Sequence, residues 1–173
     1  DNTITTADGS GITAYDGAIV VAERNTISGA AEGSGFGIRS STVTANSNII
    51  GPIGGWNGLW IYGTSDVVAE NNTIQDTAKE AVLIGEYHYL DQGWNVPTPT
   101  AARLYLANNQ ISNNTGTCNS QMYGGDFPCP AIHVFMSSAT LYDNTVTNNG
   151  GDGMRIKASI VNAQRNTIEV SGF

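Results

Sequence analysis

The most regular pattern in the chain is Asn, then any residue, then Ile or Val. It occurs as Asn2-Thr3-Ile4, Asn25-Thr26-Ile27, Asn48-Ile49-Ile50, Asn72-Thr73-Ile74, Asn109-Gln110-Ile111, Asn144-Thr145-Val146 and Asn166-Thr167-Ile168, at intervals of 23, 23, 24, 37, 35 and 22 residues. Three residues before the Asn stand Ala22, Ala45, Ala69, Leu106, Leu141 and Ala163, and five before it Val20, Val43, Val67, Leu104, Ala139 and Val161. Apolar positions two apart describe a strand. A second alternation begins at Gly or Ala: Gly11-Ile12-Thr13-Ala14, Gly37-Ile38-Arg39-Ser40, Gly58-Leu59-Trp60-Ile61, Ala81-Val82-Leu83-Ile84, Ala131-Ile132-His133-Val134 and Gly153-Met154-Arg155-Ile156. Each repeat therefore holds three short strands, the third starting after the Asn. One repeat cannot bury its own apolar positions. Stacked repeats can, by pairing each strand with its copies above and below at about 4.8 Å, so the pattern predicts an all-β parallel solenoid of about seven coils.

Each repeated Asn falls where one strand bends into the next. Its side chain tolerates a left-handed backbone and can hydrogen-bond its copy one coil away. Asn25, Asn48, Asn72, Asn109, Asn144 and Asn166 are thus expected to form a ladder. Asn71-Asn72-Thr73 and Asn113-Asn114-Thr115 are glycosylation sequons, which makes Asn71 and Asn113 candidate acceptors.

Composition narrows the function. Charged residues are 13% of the 173 residues, against roughly a quarter in ordinary soluble domains, and Leu, Glu, Lys and Arg are scarce, which excludes a helical bundle. A net charge of −8 from 15 acids and 7 bases argues against a nucleic-acid partner. No run of apolar residues is long enough for a membrane span, and no signal peptide is read at the N-terminus. Cys118 and Cys129, eleven apart in a Gly-, Asn- and Pro-rich stretch, are expected to close a disulfide. A zinc site there lacks partners, because the only histidines are His88 and His133. No cofactor and no metal site is expected.

On the repeated triplets and strands, the chain resembles the right-handed parallel β-helix repeats shared by pectate-lyase-like proteins, mannuronan epimerases and surface proteins with copper-accessory-type repeats. The resemblance spans nearly all of residues 1–173 and implies a right-handed helix, in line with the crossover rule for parallel strands. It implies little about function, because the scaffold hosts lyases, hydrolases, epimerases, fibres and inert surface proteins. The chain begins and ends inside a coil. It therefore reads as an excerpt of a longer polypeptide, with further coils or another subunit stacked on its ends.

Two intervals exceed the repeat, and such insertions usually emerge on a functional face. They cover about 85–102, after the fourth Gly-type strand, and about 112–130, before the fifth. Between them, the outward positions of the Gly-type strands read as one column of Thr13, Arg39, Trp60, Leu83, His133 and Arg155 and a second of Tyr15, Ser41, Tyr62, Gly85, Phe135 and Lys157. Arg39, Trp60, Tyr62 and Phe135 are the candidate glycan-binding residues, the aromatic faces being suited to stacking on sugar rings. Arg155 and Lys157 beside His133 would neutralise a uronate carboxylate while His133 takes the adjacent proton, with Tyr87 or Tyr89 returning one.

Two function classes follow. One is an extracellular module that binds an acidic polysaccharide, processing it by β-elimination or epimerisation if it is an enzyme. The other is a structural cell-surface stalk, sheath or fibre. A glycoside hydrolase would need Glu80 and Asp152, an expected ~10 Å apart, to act as an inverting pair. The epimerase motif Asp-Pro-His-Glu and the convergent carboxylates of a lyase calcium site are absent from the sequence.

Overall fold

The computed structural model describes residues 1–5, 8–85, 101–120 and 125–170, and along them the chain winds as a right-handed solenoid of three parallel sheets. Sheet I contains the Gly-type strands Ile12–Tyr15, Phe36–Arg39, Leu59–Tyr62, Val82–Ile84, Ile132–Phe135 and Met154–Lys157. Sheet II contains Ile19–Glu23, Thr42–Asn46, Asp66–Glu70, Arg103–Ala107, Ser138–Tyr142 and Ile160–Gln164. Sheet III, following the Asn, contains Thr3–Thr5, Thr26–Ser28, Ile49–Ile50, Thr73–Gln75, Gln110–Ser112, Thr145–Asn149 and Thr167–Val170. Neighbours in every sheet are successive coils, and no described residue is helical.

The interior is a set of aligned apolar columns. Ile27, Ile50, Ile74, Ile111 and Val146 line it from sheet III, and Ile38, Ile61, Ile84 and Val134 from sheet I, all buried. Each such side chain contributes about 1.5–3 kcal/mol of transfer free energy. The Gly or Ala that opens every sheet I strand is a packing requirement. A Cβ at Gly58 would run into Ile74 Cγ2 and the Ala81 carbonyl, so even Ala at this position would force a local shift between sheet I and sheet III.

The asparagine ladder runs the length of the solenoid. The backbone N–H and Nδ2 of Asn25 both donate to Asn48 Oδ1, at 2.9 and 3.0 Å, and the same pair of bonds joins Asn48 to Asn72, Asn72 to Asn109, Asn109 to Asn144 and Asn144 to Asn166. The Nδ2 of Asn48, Asn72, Asn109, Asn144 and Asn166 also reaches back to a carbonyl, Asn72 for example donating to that of Ala45 at 2.9 Å. The left-handed residue is not the ladder Asn but the one before it: Arg24, Ser47, Asn71, Asn108, Asp143 and Arg165 have φ between 53° and 57°. That residue makes the bend, leaving the Asn free to point inward with its own N–H along the solenoid axis. Asn71 and Asn113, the sequon positions, are both exposed.

The second coil differs from the sequence reading by two residues. Phe36, not Ile38, pairs with Leu59, so Gly37 stands beside Trp60 and Arg39 beside Tyr62. A two-residue slip preserves the alternation of faces, and packing decides the register. A Cβ at Gly35 would strike Ile50 Cγ2 and the Gly58 carbonyl, whereas one at Gly37 meets only Ser10 and Tyr15 side-chain atoms at 3.3 Å or more.

Cys118 and Cys129 form the expected disulfide, with Cα atoms 5.0 Å apart, across an antiparallel hairpin of Thr117–Ser120 and Gly125–Pro128. Closing a loop of this size is worth about 3 kcal/mol in the chain-entropy model.

Candidate functional site

Sheet I places Thr13, Gly37, Trp60, Leu83, His133 and Arg155 in one outward column and Tyr15, Arg39, Tyr62, Phe135 and Lys157 in the next. Arg39 thus belongs to the second column, where Ser41 was expected. The columns differ in exposure along the solenoid. Tyr15 is 44% exposed, whereas Tyr62 and Phe135 are 4% and His133 only 1% exposed. The aromatic floor is not uniformly open: Leu83 and Phe135 form a small apolar cluster of their own, with Trp60 packed against it.

In the first three coils the face is aromatic and cationic. Trp56, in the turn before its strand, lies 5.1 Å from Trp60, and Trp60 stacks on Tyr62 at 4.5 Å with ring planes 24° apart. Arg39 covers the Tyr15 ring at 5.1 Å and makes two hydrogen bonds to Asp16, at 2.8 and 2.9 Å. Trp56 is the member of the stack that the strand alternation does not reveal. Its signal was the spacing of four to Trp60, which in a turn-then-strand segment brings two rings to one side.

The centre of the face holds a buried polar group that spans three coils. Glu80 Oε1 lies 3.3 Å from His133 Nδ1, Glu80 Oε2 accepts from Asn57 Nδ2 at 2.9 Å, and all three residues are at most 1% exposed. A buried carboxylate persists only when paired and hydrogen-bonded, and here an imidazole and an amide supply the partners. The Glu80 carboxylate also lies within 4.8 Å of the Cys118 and Cys129 sulfurs. Those sulfurs are consumed by the disulfide, so the group does not offer a metal three donors. The column Glu80, Pro130, Asp152 is as the repeat predicts, but the two carboxylates face different partners: Asp152 accepts from Arg155 Nε and Nη2 at 2.9 and 2.6 Å. They are not arranged as an acid and base across a glycosidic bond.

At the far end Arg155 stacks over Phe127 of the hairpin at 4.5 Å, and Lys157 Nζ lies 5.6 Å from the Phe135 ring centroid. Arg155, Lys157, His133 and Phe135 are therefore brought together on adjacent strands. Tyr87 and Tyr89, together with His88, lie outside the described residues.

Among known proteins, the family described as the right-handed beta helix region matches residues 1–158. No curated protein and no solved structure matches the chain.

Proposed function

Because the chain belongs to the right-handed β-helix family, we propose that its function is carried on the outer face of sheet I and consists of binding an acidic polysaccharide. The observation that carries this reading is the arrangement on that one face. A stack of Trp56, Trp60 and Tyr62 beside Arg39 lies at one end, with Arg155 and Lys157 at the other. The two inserted segments leave and re-enter this same sheet. Aromatic rings suit the apolar faces of sugars, and Lys157 and Arg155 suit carboxylates on a protein whose overall charge of −8 would otherwise repel them, Arg155 by exchanging its Asp152 partner for a carboxylate of the polymer.

Binding fits better than turnover, because His133 is enclosed against Glu80. If the polymer is processed, the reaction is β-elimination or epimerisation at a uronate, with Arg155 and Lys157 holding the carboxylate, His133 taking the C5 proton and Tyr87 or Tyr89 returning one. The disulfide favours an extracellular or cell-surface location. Further coils or another subunit would stack on the last coil, where Ile156 and Ile168 are 48% and 42% exposed although their counterparts one coil earlier, Val134 and Val146, are buried. A structural stalk or sheath is the second reading. The enclosure of Glu80 and His133 favours it, since a buried hydrogen-bonded group can serve rigidity alone.

Affinity electrophoresis through gels containing polygalacturonate or alginate separates the two. Wild-type protein should be retarded, and an Arg155→Gln, Lys157→Gln double variant should migrate as in a blank gel. Trp60→Ala should show intermediate retardation. Unretarded wild-type protein in every gel would reject polysaccharide binding and leave the structural role.

A further inference from the structure

The outer face of sheet II is chemically unlike that of sheet I. Its central outward column is Val21, Thr44, Val68, Tyr105, Thr140 and Asn162, one residue per coil. Val21, Val68 and Tyr105 are 67%, 37% and 38% exposed, and Ile19 and Ile160 flank the column at 83% and 81%. Five of the ten exposed large hydrophobics among the described residues therefore lie on this one face. A shallow trough of about 420 Å³ runs along it from Thr42 to Asn162, parallel to the solenoid axis and floored by five successive strands.

The trough carries no net charge. Its two ionic residues neutralise each other, Arg103 donating to Asp66 from Nε at 2.7 Å and from Nη2 at 2.6 Å. The remaining polar side chains are the hydroxyls of Thr42, Thr44, Ser138, Thr140 and Tyr105 and the Asn162 amide. An exposed apolar strip of this kind marks an interaction surface, and its size limits the occupant. Six strands at about 4.8 Å and five residues at about 3.3 Å give roughly 480 Å², well below the ~800 Å² per partner of a stable protein interface. A second copy of the chain would be held too weakly. A narrow linear polymer laid along the trough would meet one outward side chain every coil, a step comparable to one sugar ring.

We propose that the sheet II trough is a binding site for a neutral linear polysaccharide, with Tyr105 as its stacking platform and Thr44, Thr140 and Asn162 as hydrogen-bonding groups. It is separate from the acidic-polymer face of sheet I and does not depend on it. Neutrality follows from the Asp66–Arg103 pairing and from the −8 charge of the chain, which disfavours a polyanion wherever cations are not displayed.

The test is isothermal titration of the intact protein with linear gluco-, manno- and xylo-oligosaccharides and with an oligogalacturonate. At least one neutral oligomer should bind, with affinity unchanged in high salt. Tyr105→Ala should weaken it about tenfold, as expected for an aromatic anchor. Thr44→Arg, which obstructs the trough from an outward position, should weaken it as well, and Trp60→Ala should not. Absence of binding by every neutral oligomer would overturn the proposal, as would full affinity in both sheet II variants. Sedimentation showing self-association that Tyr105→Ala abolishes would also overturn it, in favour of a second copy as the occupant. Loss of oligogalacturonate binding alone would count only against the sheet I reading.

Discussion

Replacing Asn109 with Ala removes one rung from the middle of the asparagine ladder, and the cost can be counted from its bonds. Asn109 Oδ1 accepts from the backbone N–H and Nδ2 of Asn72 at 2.8 and 3.0 Å, and all of these groups are buried. In the variant both donors lose their acceptor in a space sealed by the coils on either side. Asn72 Nδ2 keeps its second bond, to the Ala45 carbonyl, so one of its hydrogens is orphaned along with the backbone N–H. The carbonyls of Ala69 and Ala107 and the Oδ1 of Asn144 lose the Asn109 amide, but Ala107 retains the backbone N–H of Asn71 at 3.0 Å and Asn144 Oδ1 the backbone N–H of position 109. Two orphaned buried donors at about 1–3 kcal/mol each give a loss of about 4 kcal/mol, a large part of the 5–15 kcal/mol that holds a typical domain. Gln110→Ala, one residue away with its side chain exposed on the outside of sheet III, should change stability by less than about 0.5 kcal/mol. Urea unfolding followed by far-UV circular dichroism, run on both variants and wild type, makes the comparison. If Asn109→Ala costs under about 1 kcal/mol, no more than Gln110→Ala, the ladder is not a source of stability and the counting of orphaned donors is wrong.

Two further predictions concern charged groups. Glu80→Ala removes the buried carboxylate that His133 and the Asn57 amide share and should destabilise the protein by about 2–6 kcal/mol, at about 1–3 kcal/mol for each of the two hydrogen bonds lost, measured by the same urea titration; a change below about 1 kcal/mol would mean the cluster is accessible to water. At the edge of sheet II, the hydrogen bonds that Arg165 donates to Asp143 at 2.7 and 2.8 Å hold the Asp143 carboxyl below its ordinary range. A lowered folded-state value adds stability above the unfolded Asp value of about 3.9, and this is lost as pH falls through the folded one. An NMR pH titration should show Asp143 shifted down in wild type and back in the ordinary range in Arg165→Gln, and an unshifted wild-type carboxyl would refute the pairing.

The repeat made the solenoid legible because a ladder Asn admits few substitutes: an inward side chain that both donates and accepts, one residue after a left-handed bend. Register was harder to read where the sequence repeats itself within a strand. Gly35-Phe36 and Gly37-Ile38 satisfy the same two-residue alternation, and only the approach of Ile50 and Gly58 selects the first. The site was legible in placement and not in environment. Alternation tells which side of sheet I Tyr62, His133 and Phe135 face, but it carries no information on whether that side is open to water. The contact between Glu80 and His133, 53 residues apart, crosses both insertions. The repeat did place them one coil apart on neighbouring positions. By column Glu80 pairs instead with Asp152, another acid, and the Asn57 that holds its second oxygen carries no sequence signal beyond its position one coil before.

The central claim is that sheet I is the polysaccharide face, and hydroxyl-radical footprinting with and without saturating polygalacturonate or alginate addresses it directly. Trp56 and Trp60 at one end of the face and Phe127 at the other should be protected by the polymer, while Tyr105 on sheet II should be modified equally in both samples. Protection confined to Tyr105, or no change at Trp56 and Trp60 with either acidic polymer, would contradict the account.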